Sequence, residues 1–123
     1  MDATTKLTAV GNGALGCWLI AAPFVLGAPA VGRWNDVLVG AAVAAAAGYN
    51  YVEDGDRPAS ATTAGVVAVL GCWLVVAPFA LGLAGPALWN DVVCGTLVAS
   101  FGSYDAYVAS AVGRAPAVRA TAE

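Results

Sequence analysis

The chain has 123 residues, 60% of them hydrophobic and 11% charged, with a formal net charge of −3. It is far more apolar than an ordinary soluble domain, and with five Lys and Arg against eight Asp and Glu no nucleic-acid partner is expected. It has no histidine, its one methionine is Met1, and its three cysteines lack C-x-x-C spacing, so no metal or cofactor is expected.

The charges are segregated. None lies between Lys6 and Arg33, and none between Arg57 and Asp91. Each run exceeds the roughly 20 apolar residues that cross a hydrocarbon core of about 30 Å. A soluble core helix breaks such a run with a charged face. The chain therefore reads as an all-α integral membrane protein in a lipid bilayer.

In chain order, residues 1–6 are a short polar start and a first helix spans about 7–26. Ala28-Pro29-Ala30 resembles a small-residue cleavage site, so a removed leader is the rival reading of this span. A duplication argues against it. Residues 15–40 recur at 70–95 without a gap, with 15 of 26 positions identical. Cys17-Trp18, Ala22-Pro23-Phe24 and Trp34-Asn35-Asp36 return as Cys72-Trp73, Ala77-Pro78-Phe79 and Trp89-Asn90-Asp91, each 55 residues later.

Pro23 and Pro78 stand about one turn before the ends of their helices and bend them there. Gly27 and Gly82 close those helices in the left-handed conformation. The loops that follow, residues 28–33 and 83–88, are short enough to join antiparallel neighbours. Each repeat is then a helical hairpin. Second helices are expected to begin at Trp34-Asn35-Asp36 and Trp89-Asn90-Asp91, with Trp in the aromatic belt and Asn or Asp capping the helix start. Tyr49, Tyr51, Tyr104 and Tyr107 suit a second belt at the other end.

The expected architecture is four transmembrane helices in one membrane domain. Repeat one covers about 7–52, a polar linker 53–61, repeat two about 62–110 and a frayed tail 111–123. Four spans place both termini and the linker on one side, which carries Lys6, Arg57, Arg114 and Arg119 against Arg33 alone on the other. The positive-inside rule makes that side cytoplasmic, in a plasma membrane. Two spans per repeat enter the membrane in the same direction, so the repeats are parallel and not inverted as in many transporters.

Two tandem hairpins, each with a proline tripeptide near the end of its first helix and a Trp opening its second, resemble the SPW-repeat membrane proteins of archaea and bacteria. Ala22-Pro23-Phe24 and Ala77-Pro78-Phe79 stand where that family has Ser-Pro-Trp, so any role of its serine is absent. The resemblance implies a small integral membrane protein and no particular activity. An acidic composition rich in Ala, Gly and Val and with arginine preferred to lysine suits a high-salt, GC-rich organism.

Asp36 and Asp91 are the first candidates for chemistry, since an acidic residue at a membrane boundary is a functional hypothesis by default. Each heads a stripe of small residues four apart: Gly40, Ala44 and Gly48, and Gly95, Ala99 and Ser103. Small residues let helices approach closely, so the stripes are expected to be the packing seams, with the Asp as cap. The sharper reading is a proton or cation site formed by the pair about the pseudo-twofold axis. Cys17 and Cys72 are expected to be inert packing residues, continuing the stripes Ala9-Gly13 and Ala64-Ala68. Trp18 and Trp73 fall at mid-membrane, where they could wedge between hairpins, face lipid, or face a pigment, quinone or partner subunit. Asn50 and Asp105 are expected to hydrate at the interface.

Two functional readings follow. The first is a non-enzymatic structural or accessory module that packs with itself or a larger membrane complex. The second is a homo-oligomeric transporter or channel with Asp36 and Asp91 as its selectivity element. A membrane enzyme is disfavoured, because no catalytic constellation is present.

Overall fold

A computed structural model describes residues 3–53 and 61–122, with side chains described for residues 3–4, 6–51 and 61–111. These residues form four helices: α1 (Ala3–Val25), α2 (Ala30–Glu53), α3 (Ala61–Ala80) and α4 (Gly85–Ala122). At 1.5 Å per residue each is long enough to cross a bilayer core. α1 packs along α2 and α3 along α4, so each repeat is a hairpin. The hairpins then close on each other through α1 against α4 and α2 against α3. This ring of four is an all-helical membrane fold.

Three stretches are apolar and long enough to be spans by composition, Lys6–Val25, Ala61–Ala80 and Gly85–Ala111. α2 falls short because Arg33, Asn35, Asp36 and Asn50 dilute it. Asp36 and Asn50 are buried inside the bundle, which lets α2 lie beside α1 without presenting them to lipid.

The first helices end as their prolines and glycines dictate. Pro23 and Pro78 lie inside the last turns of α1 and α3. Gly27 and Gly82 have φ of 66° and 70°, the left-handed region that glycine adopts without a Cβ penalty. The N–H of Ala28 donates to the Pro23 carbonyl over 2.9 Å and that of Leu83 to the Pro78 carbonyl over 2.8 Å. Carbonyls left free at a helix end are satisfied in this way.

The second helices begin earlier than the sequence suggests. α2 starts at Ala30 and α4 at Gly85, with Pro29 and Pro86 at or just before the first helical residues, where a missing N–H costs nothing. The loops are correspondingly shorter than 28–33 and 83–88. At its other end α4 runs on as helix to Ala122, through the segment expected to fray. Residues 54–60, most of the expected linker, lie outside the described residues.

Within each hairpin the backbones touch through glycine. A methyl group built on Gly16 would stand 2.7 Å from both the Gly40 carbonyl oxygen and the Ala44 nitrogen, and one on Gly40 2.6 Å from the Gly16 oxygen. The twin seam has Gly71 against Gly95 and Ala99, where a methyl on Gly95 would stand 2.7 Å from the Gly71 oxygen. In lipid, where apolar burial does not drive helices together, such close approach supplies the dispersion contact that does. The hairpins meet over an aliphatic core of Leu19, Val43, Leu74 and Val98, all fully buried, with Val39, Val67 and Cys94 around it.

Candidate functional site

The polar side chains of the bundle collect where the two repeats face each other. Nε1 of Trp18 on α1 donates to Oδ1 of Asn90 on α4 over 2.8 Å. Nε1 of Trp73 on α3 donates to Oδ1 of Asn35 on α2, also over 2.8 Å. Adding 55 to the first pair's Trp and subtracting 55 from its Asn yields the second. Both bonds cross from one repeat to the other. No water competes with them in hydrocarbon, and bonds of this kind contribute about 0.6–2 kcal/mol. The two indoles remain 42% exposed, so each ring wedges between the hairpins and turns an edge to lipid.

Asp36 and Asp91 are not caps. Asp36 is the seventh residue of α2 and Asp91 the seventh of α4, about 9 Å along from the first residue, whereas a cap precedes the first turn. They are 3% and 0% exposed, and their carboxyls meet across the junction of the repeats. Nδ2 of Asn35 donates to Oδ1 of Asp36 over 3.3 Å. On the other side Asn90 Nδ2 and both Asp91 carboxyl oxygens have no partner. Indole, amide and carboxyl thus line up from each flank toward the centre. Cys94 stands in the same layer, its Sγ donating to Asn90 Oδ1 over 3.7 Å.

A second polar layer lies toward the other end of the bundle. The Thr8 hydroxyl on α1 donates to Oδ1 of Asp105 on α4, again from one repeat to the other. Asn50 and Asp105 are 4% and 5% exposed, so they are buried rather than hydrated at the interface. Asn12 on α1 is buried as well, with its Oδ1 unpartnered, and Val67 takes the twin position. Between the two layers the aliphatic core fills the centre.

Gly40, Ala44, Gly95 and Ala99 lie in the hairpin seams. Gly48 and Ser103, assigned to the same stripes, do not. Both are exposed, and nothing lies within 4 Å of a methyl built on Gly48. Steps of four residues advance about 400° in a helix, so each step drifts about 40° and three steps rotate out of the seam. Cys17 and Cys72 are exposed too, displaced from the seam by Gly16 and Gly71 beside them. The repetition of Gly16 at Gly71 was the available signal for the true seam. The joint repetition of Trp18 with Asn35 was the signal for the cross-repeat bonds.

The proline tripeptides show which of their positions are constrained. Ala22, Pro23, Ala77 and Pro78 are fully buried, while Phe24 and Phe79 are exposed with Trp34 and Trp89 on the apolar surface.

The SPW repeat domain model matches residues 6–105. This chain belongs to the SPW repeat family. Neither a curated protein nor a solved structure matches it. The matched region contains both tripeptides, both Trp–Asn pairs and both aspartates. Where the repeat motif has serine this chain has fully buried alanines, and where it has tryptophan this chain has phenylalanines exposed on the apolar surface. Pro23 and Pro78 are fully buried within the last turns of their helices.

Proposed function

We propose that this SPW repeat protein is a non-enzymatic structural or accessory module of the plasma membrane, which packs with copies of itself or with a larger membrane complex. The observation that carries the reading is the use made of its polar side chains. Trp18, Asn90, Trp73, Asn35, Thr8 and Asp105 bind one repeat to the other. Their polar atoms are committed to these cross-repeat bonds, while the indole rings keep an edge toward lipid. The lateral surface presents Phe24, Trp34, Leu38, Val69, Phe79 and Trp89, suited to lipid and neighbouring helices. The positive-inside rule supports a cytoplasmic side for both termini and the linker 53–61, the side bearing most of the Lys and Arg.

Extraction in a mild detergent, with the particle mass measured and every co-purifying subunit identified, tests the reading. A particle of fixed stoichiometry larger than one chain is expected. A lone monomer in native membranes would sink it.

One observation favours a second reading, a homo-oligomeric transporter or channel: Asp36 and Asp91 converge from different repeats. Against it stands the aliphatic layer of Leu19, Val43, Leu74 and Val98 between the polar layers of each chain. Ion flux in liposomes that disappears when both aspartates are changed to asparagine would establish it.

A further inference from the structure

We propose that Asp36 and Asp91 form a one-proton site, their carboxyls holding a single exchangeable proton between them where the two repeats meet. The site is built from both repeats and stands independently of the assembly role. Asp36 comes from α2 and Asp91 from α4, and the two carboxyls are in contact with scarcely any exposure. Neither Asp91 oxygen has a donor, and the buried Nδ2 of Asn90 beside it is also without a partner. Two carboxylates facing each other are acceptor against acceptor, with like charges in contact. A proton or a metal cation between them removes both conflicts.

The surroundings select the proton. Hard cations such as calcium take six to eight oxygens. Here the helical carbonyls are engaged in their own ladders, and Oδ1 of both Asn35 and Asn90 is taken by an indole. Two carboxyls remain, and among the described residues no cluster of three His, Cys, Asp or Glu could hold a metal ion. A proton needs only one oxygen from each. Asp36 already accepts from the Asn35 amide and neither Asp91 oxygen has a donor, so one proton held between the two carboxyls supplies the donor that their contact lacks. The loaded pair carries one negative charge, and loading exchanges one proton with water without any other bond changing.

Among the described residues, the groups that reach the pair are few. α2 contributes Asn35, and α4 contributes Asn90 and the Cys94 thiol. α1 and α3 contribute the Trp18 and Trp73 indoles behind the amides, while their thiols, Cys17 and Cys72, are exposed. Arg33, one turn from Asp36 on α2, is exposed. Unloading the site places two like charges between the repeats, so proton occupancy and inter-repeat packing are coupled.

Infrared spectroscopy of the full chain in bilayers at neutral pH, with carboxyl-¹³C aspartate, reads the site directly. The expected result is a protonated-carboxyl band that shifts with the label and in D₂O. It is absent from D36N/D91N and persists in D105N, which separates it from the other buried aspartate. No label-sensitive band in the wild type overturns the proposal, and this arm does not depend on any variant folding. So does a band undiminished in D36N/D91N, or one that vanishes when sodium replaces choline at fixed pH, which is the signature of a cation site.

Discussion

At the scale of single residues, the Trp–Asn bonds make the sharpest claim. Trp18→Phe keeps an aromatic ring in the seam and removes only the donor to Asn90 Oδ1. We expect it to cost about 0.5–2 kcal/mol, the range for a hydrogen bond between membrane helices. Trp73→Phe should behave alike, because its bond has the same length. A double-mutant cycle of Trp18→Phe with Asn90→Ala, read by unfolding in mixed detergent, should show coupling of about 0.5 kcal/mol or more. Strict additivity would mean that the bond carries no stability. The tripeptide behaves differently. Phe24→Trp should change stability by no more than about 0.5 kcal/mol, since that position faces lipid. A loss beyond about 2 kcal/mol would contradict that assignment.

At the scale of helices, the seam and the stripe part company in a testable way. Gly16→Val drives a branched side chain into the backbone of α2 and should cost about 1–3 kcal/mol or more. Gly48→Ala, in open space, should cost nothing and stabilise α2 by up to about 1 kcal/mol through helix propensity. Thermal unfolding of the two variants in one detergent checks both; equal costs would return Gly48 to the seam. This division also marks what the sequence revealed. Duplication exposed the hairpins, and the Pro23 and Gly27 chemistry with its twins marked the ends of the first helices. The starts of α2 and α4 were hidden because Trp34-Asn35-Asp36 looks like a boundary. In the structure the same residues face three ways: Trp34 to lipid, Asn35 to an indole, Asp36 to Asp91. Which face each helix buries was also hidden. In lipid both faces are apolar, so periodicity has little contrast from which to read orientation. Small residues four apart were a fair guide over two turns and failed by the third, as the helical drift requires.

In the whole molecule, two like hairpins meet over an aliphatic core, and polar groups bond across the junction in layers on either side of it. Each hairpin packs internally through its glycine seam, so each retains its shape while the junction between them is varied. Two halves divided within residues 54–60 should therefore find each other when co-expressed. The measurement that tests this most directly is the amount of SDS, mixed into a mild detergent, that parts the co-purified halves. With the native junction the halves should stay together, and with Trp18→Phe and Trp73→Phe combined they should part at a clearly lower SDS fraction. Halves that never co-purify, or that part at the same fraction with and without the indole donors, would contradict the claim that these side chains hold the repeats together.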